Sequence, residues 1–336
     1  MADPIAILGA GSWGTALAHV QAEAGHPVSL WDRDPKRIDE INEKRVNHKY
    51  HPSIELSKGI RAVSNLNEAV HQAEIVVLAI PSHAVRDCLK NISPHLKKEA
   101  TLVCAAKGIE AETLGTLSSV AYEVLGQERT RKQYTVLSGP SFSHEVIRNA
   151  PTALTAAAFT EKSALRVQEF CHTDTFRIHT SDDVIGVEIA GALKNVVAVA
   201  AGASDGLGFG LNARAALITR ALAEITKIGT QKGAHPQTFA GLSGLGDLLL
   251  TCTGDLSRNR QVGLKLAQGK SLKVILRELG QVAEGIRTAK AAYQMAKELH
   301  VDAPILEEIY RTLYERKPLR EAVADLLSRA PGTEMS

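Results

Sequence analysis

The chain has 336 residues, 44% hydrophobic and only 4% aromatic, with a formal net charge of +2. That length suggests two domains, with cores built from Ala, Val, Leu and Ile. The near-neutral charge argues against a general polyanion-binding surface, so no nucleic-acid partner is expected, although a few local cations could still hold a small anion.

Cys88, Cys104, Cys171 and Cys252 lie far apart and form no Cys-x-x-Cys pair, so neither a disulfide framework nor a zinc site is indicated, and no metal is expected. The N-terminus MADPIAILGAG carries Asp3 and no basic leader, unlike a signal peptide. No apolar run reaches the roughly 18 residues of a membrane span. These readings predict a cytoplasmic protein with no membrane span.

The first half alternates two textures. Short runs at Ile5–Leu8, Val28–Trp31, Ile75–Ile80, Leu102–Ala105 and Tyr134–Leu137 are rich in Val, Ile and Leu and end at Gly, Pro, Asp or Ser, as buried parallel strands do. Helical stretches such as Thr15–Ala24, Ala84–Ile92 and Thr116–Leu125 lie between them. The alternation predicts an α/β fold with a Rossmann-type doubly wound sheet. Two further strands are expected at Ala153–Ala158 and Phe176–His179.

After about Asp182 helical patterns take over, at Val184–Ala203, Ala213–Lys232, Arg260–Ala267, Ile286–Leu299, Ile305–Tyr314 and Arg320–Ser328. The reading is a dinucleotide-binding domain over 1–180 and an all-helical, substrate-binding and catalytic domain over 181–336, closely packed because no Ser/Gly/Pro-rich linker separates them.

Gly9-Ala10-Gly11-Ser12-Trp13-Gly14 follows the first strand and opens the first helix. Gly-x-Gly-x-x-Gly in that context marks a dinucleotide site: the glycines permit a tight turn, close approach to pyrophosphate and close helix–strand packing. Gly9, Gly11 and Gly14 are therefore cofactor-site candidates. The second strand ends in Trp31-Asp32-Arg33-Asp34. An acid there bonds ribose hydroxyls and favours NAD, whereas an arginine favours the 2′-phosphate of NADP. Asp32 and Arg33 leave the two cofactors open, and Asp34-Pro35 reads as a solvated turn. Pro81-Ser82, at the end of the Ile75–Ile80 run, could line the nicotinamide half of the site or could be an ordinary turn with Ser82 as an N-cap.

Polar residues at apolar positions mark the chemistry. Lys107 follows a strand in Ala-Ala-Lys-Gly, where a cation can hold a carbonyl or phosphate oxygen. Lys194 sits in an apolar stretch whose only other charge is Glu188. A sequestered lysine suits proton transfer, because burial lowers its pKa; the alternative is a stem that snorkels to the domain edge. Asp247, after three glycines in GLSGLGDLLLTC, could partner Lys194 or could be a helix N-cap. In Asp255-Leu256-Ser257-Arg258-Asn259-Arg260, a capped helix start with a guanidinium makes a phosphate site, or else a solvated basic face.

The blocks GAGSWGTALA, VVLAIPSHAV, AAKGIE, LSGPSFSHEV, EIAGALKNVVAVAAGASDGLGFGLNARAALITR, TFAGLSGLGDLLLTCTGDLSRNRQVG and VAEGIRTA occur in family order over nearly the whole chain. Together they resemble the bacterial type of NAD(P)-dependent glycerol-3-phosphate dehydrogenase. The resemblance implies hydride transfer between dihydroxyacetone phosphate and sn-glycerol 3-phosphate with NAD or NADP, supplying glycerol 3-phosphate for phospholipid synthesis. It also implies roles. Ser12, Trp13, Arg33, Tyr50, Ser143, Val282 and Glu284 would contact cofactor. Lys107 would touch both cofactor and substrate, and Arg258 would bind substrate near the cofactor. Gly139, Ser141, Asp247, Ser257 and Asn259 would bind substrate. Lys194 would be the proton donor and acceptor, with Asn195 and Thr251 holding it and the substrate hydroxyls. Asp32 departs from the small, uncharged residue usual in the family, and would shift preference toward NAD.

Two rivals share the nucleotide-binding half. One is another β-hydroxyacid-type dehydrogenase, such as a ketopantoate or 6-phosphogluconate reductase, which the AGLSGLGDLLLTC and LSRNR blocks disfavour. The other is a cofactor-sensing binding module, which would not require Lys194, Asp247 and Arg258 together. A homodimer is the default assembly.

Overall fold

The computed structural model describes residues 3–280 and 283–330. Eight strands, β1 (Ile5–Leu8), β2 (Val28–Trp31), β3 (Ile60–Val63), β4 (Ile75–Leu78), β5 (Thr101–Cys104), β6 (Tyr134–Ser138), β7 (Thr152–Ala158) and β8 (Phe176–Ser181), form one sheet. Its order is β3-β2-β1-β4-β5-β6-β7-β8. Helices α1 (Ser12–Glu23), α2 (Pro35–Lys44), α3 (Leu66–His71), α4 (Val85–Ile92), α5 (Leu117–Leu125), α6 (Gln127–Gln133), α7 (Ser143–Val146) and α8 (Glu161–Cys171) connect or flank the strands. The strands of the sheet centre are buried on both faces, between one apolar cluster that includes Ile5, Ile7 and Leu30 and another that includes Ala6, Leu8 and Leu78. That is why they read as unbroken apolar runs.

The doubly wound sheet is present, with differences. β7 runs antiparallel to β6, while β8 is parallel to β7; a short connection through α7 turns the chain back. β3 is an edge strand of four residues that includes exposed Arg61, too short and mixed to read as a buried run. The Asp34-Pro35 turn is instead the start of α2, with Asp34 as N-cap accepting from the Lys36 N–H and Pro35 in the first turn.

The second half is helical: α9 (Val184–Gly206), α10 (Gly210–Gln231), α11 (Pro236–Phe239), α12 (Asp247–Thr253), α13 (Arg258–Ala267), α14 (Leu272–Leu279), α15 (Glu284–Glu298), α16 (Pro304–Tyr314) and α17 (Leu319–Ser328). α9 is the central rod, packed by α10, α12, α13 and α15. Contrary to the expectation of no span-length apolar run, α9 is long and apolar enough to cross a membrane, at mean hydropathy 1.7. Its three charges, Glu188, Lys194 and Asp205, are too few to break the average, but 89% of its apolar stretch is buried in the protein, as in a core helix. The halves share cores: Ile109 and Leu114 join the helical cluster, and Val184 and Val187 join the sheet cluster.

Candidate active site

The glycine loop lies at the carboxyl end of β1, where strand order reverses between β1 and β4, the switch point at which open α/β sheets bind ligands. Gly9 has φ +114°, and a Cβ there would stand 2.7 Å from the Ala79 carbonyl oxygen. A Cβ on Gly14 would come within 1.9 Å of the Gly9 oxygen, so the first helical turn packs backbone to backbone. At Gly11 a Cβ would meet nothing within 4 Å: packing does not demand glycine, and the space above it is open. No side chain caps α1. An open cradle of helix-start N–H groups is the fit a pyrophosphate needs.

Asp32, 6% exposed, holds this loop in place. Its Oδ2 accepts from the Ala10 N–H at 3.1 Å, and its Oδ1 from the Asp34 N–H at 2.9 Å and from Arg37 at 2.7 Å. Arg33 beside it is exposed. Half-buried Tyr50 stacks under Arg37, 5.4 Å from guanidinium carbon to ring centroid. The Ser12 hydroxyl meets Ser143 Oγ at 2.6 Å, and half-buried Trp13 packs against the core below.

Lys194, on α9, is 7% exposed, and Asp247, at the start of α12, is 1% exposed. Lys194 Nζ donates to Asp247 Oδ1 and, at 2.8 Å, to Thr251 Oγ1. Burial pulls the lysine's pKa down to about 8; the Asp247 charge opposes that fall and the Lys107 charge adds to it. The snorkelling alternative is thereby set aside. Lys107 enters from the sheet half, donating to Asp247 Oδ2 at 2.6 Å and to the Gly139 carbonyl at 3.1 Å. Ser141 Oγ donates to that same carbonyl at 3.0 Å. Asp247 is not an N-cap: that position is Gly246, and a single π-type turn, Leu242–Gly246, leads into α12. Of the three glycines before it, Gly244 is the one packing demands, since a Cβ there would sit 2.1 Å from the Phe239 oxygen.

The start of α13 lies beside Asn195, the neighbour of Lys194 on α9. Ser257, 3% exposed, is its N-cap, accepting from the Arg260 N–H at 3.2 Å, so its hydroxyl proton remains available to donate. Asn259 Nδ2 donates to Asn195 Oδ1 at 2.9 Å, and Asn259 Oδ1 accepts from the Gly285 N–H at 3.0 Å. One amide thus ties α13 to α9 and α15. Exposed Arg258 interacts electrostatically with Glu284 and with Tyr50 of the sheet half. Val282 lies outside the described residues.

Three residues in this neighbourhood carry weak or no sequence signals. Ser82 is not an N-cap: its N–H and hydroxyl donate to Glu284 Oε1 at 3.2 Å and Oε2 at 2.8 Å, bridging the halves. Asn47, fully buried, donates to the Ala10 carbonyl at 3.0 Å and to Thr15 at 2.9 Å. His51, 1% exposed, donates through Nε2 to the Ser12 carbonyl at 2.8 Å. Burial lowers its pKa. Asn47 and His51 sit in a segment that reads as a polar loop; only their burial exposes the role.

A switch-point glycine cradle in the sheet half, together with a buried lysine–carboxylate pair that the sheet half's Lys107 joins, defines a Rossmann-type dehydrogenase with a helical second half. The chain matches the family models described as the NAD-dependent glycerol-3-phosphate dehydrogenase N-terminus, over residues 4–164, and C-terminus, over residues 183–324. It belongs to that family. A relative from Geobacter sp. (strain M21) named glycerol-3-phosphate dehydrogenase (NAD(P)+) is 51% identical over 329 residues, 98% of each chain. The crystal structure of a Coxiella burnetii glycerol-3-phosphate dehydrogenase superposes with TM-score 0.93 at 36% identity, covering 98% of this chain and 99% of that one. A Saccharomyces cerevisiae glycerol-3-phosphate dehydrogenase superposes with TM-score 0.82 at 28% identity, covering 98% of this chain and 100% of that one.

Proposed function

We propose that this protein interconverts dihydroxyacetone phosphate and sn-glycerol 3-phosphate with NAD or NADP. The observation that carries the reading is the Lys194–Asp247–Lys107 set, in which one buried carboxylate joins a lysine of the helical half to a lysine of the sheet half. The sheet half, about 1–180, would hold the nucleotide: Gly9, Gly11, Ser12, Trp13 and Gly14 at its phosphates, and Asp32, Arg33 and Tyr50 at its adenosine end. Lys107, Ser143, Arg258 and Glu284 would border its reactive half. When bound, the nicotinamide supplies hydride to, or accepts it from, C2 of the substrate.

The chain's residues do the rest. As C2 gains hydride its carbonyl oxygen becomes negative, and protonated Lys194 gives it the Nζ proton. Asp247 and Thr251 hold the amine in place throughout. In reverse, neutral Lys194 takes the hydroxyl proton. Lys107, Gly139 and Ser141 line the reacting end, and Asn195 steadies Asn259. Ser257, Arg258 and Asn259 grip the phosphate, and that remote grip positions C2.

The test is a substrate panel. Dihydroxyacetone phosphate should oxidise NADPH or NADH with this protein, whereas ketopantoate should not. Preference for the keto acid would overturn the reading. We further propose that the enzyme works in the cytoplasm, supplying glycerol 3-phosphate for phospholipid synthesis, and pairs as a homodimer. The prevalence of two-fold homo-oligomers supports the last.

A further inference from the structure

Asp205 lies near the end of α9, the helix that carries Lys194 and Asn195. Its Oδ2 accepts from Arg260 Nε at 3.0 Å, from Arg260 Nη2 at 2.7 Å and from Arg214 Nη1 at 3.0 Å. The Asp205 and Arg260 side chains are 12% and 10% exposed, so the pair is poorly screened. Arg260 also reaches Asp255 at 2.8 Å, but that carboxylate is 91% exposed and adds little.

Arg260 occupies the third position of α13, and its N–H is the group that Ser257 caps. The backbones meet here too. A Cβ on Gly202 would lie 2.0 Å from the Arg260 oxygen, and one on Gly263 2.0 Å from the Val199 oxygen. At these two points there is no room for a side chain, and the helices pack backbone to backbone. The Arg260 contacts with Asp205 add a charged tie at that crossing, beside the Asn259–Asn195 bond, and so help set the distance between the Ser257–Asn259 turn and Lys194.

We propose that Asp205 and Arg260 are positioning residues that set the phosphate subsite at the start of α13 relative to the proton donor on α9. Neither touches substrate. The inference rests on the reading of Ser257–Asn259 as the phosphate grip. Losing the Arg260 fork on Asp205 lets the turn shift, so phosphate affinity falls, while the glycine cradle that would hold the nucleotide's pyrophosphate lies on the other half and away from the turn.

The experiment compares the parent with Asp205→Asn, Arg260→Lys and Arg260→Gln. It reads KM for dihydroxyacetone phosphate, KM for NADPH, and competitive inhibition by inorganic phosphate. Charge-assisted forks are worth enough that Asp205→Asn and Arg260→Gln should raise substrate KM and phosphate Ki together by about tenfold. KM for NADPH, whose phosphates and adenosine end would sit on the sheet half, should rise much less than KM for the substrate. Arg260→Lys, keeping charge but not the fork, should fall between. A merely structural role would lower thermal stability and kcat with substrate KM and phosphate Ki unchanged, and that result would overturn the proposal. If the parent itself is not inhibited by phosphate, the phosphate-grip reading fails first. If the parent is inhibited and the variants match it, only the positioning role fails.

Discussion

Asp247 binds Lys194 through one carboxylate oxygen and Lys107 through the other, so a single buried anion joins a cation from each half of the molecule. Two lysines this close would repel each other without it. The arrangement explains how a lysine in an apolar helix keeps a usable proton: burial and Lys107 push its pKa down, and Asp247 stops the fall at about 8.

That value sets the pH dependence. Below about 8 Lys194 carries the proton that ketone reduction needs; above it the amine is neutral, the form that alcohol oxidation needs. Reduction kcat/KM should therefore decline as pH rises through about 8, while oxidation rises over the same interval. Asp247→Asn removes the opposing charge, so the reduction limb should move at least about one unit lower. Identical limbs in parent and variant would separate Lys194 from the profile.

Arg258→Ala should weaken phosphorylated substrate far more than fold. A charged hydrogen bond is worth about 1.5–3 kcal/mol, so KM for dihydroxyacetone phosphate should rise about tenfold or more. The parent should also prefer dihydroxyacetone phosphate to dihydroxyacetone strongly, and the variant much less. Kinetics with both ketones check this. Equal use of the two by the parent would contradict it.

Cofactor choice should turn on Arg33. It is exposed beside the loop, ready to meet a 2′-phosphate, whereas the charge of Asp32 is already committed to Arg37 and two backbone N–H groups. Arg33→Ala should cut kcat/KM for NADPH much more than for NADH. Asp32→Asn should weaken both, because it loosens the glycine loop. Equal losses in Arg33→Ala would show that Arg33 does not read the phosphate.

The parts of the site carried by an anomaly were legible in the sequence. Lys194 breaks an apolar helix, Asp247 breaks a glycine-rich apolar segment, and Gly9-x-Gly11-x-x-Gly14 joins a strand to a helix. What escaped depends on tertiary placement. β3 is a short edge strand with an exposed Arg61, and the reversal of β7 follows from where α7 turns the chain. Asn47 and His51 look like loop residues until burial aims them at the glycine loop. The Asp205–Arg260 pair joins residues far apart in sequence that neither periodicity nor a motif connects.

The most direct test is turnover of dihydroxyacetone phosphate by Lys194→Ala, with NADPH binding measured on the same preparation by fluorescence. General acid–base catalysis is worth about 100-fold or more, and the nucleotide cradle lies on the other half of the molecule. Turnover should fall at least about 100-fold while the Kd for NADPH stays within about twofold. Near-parental turnover in a folded Lys194→Ala protein would contradict the account.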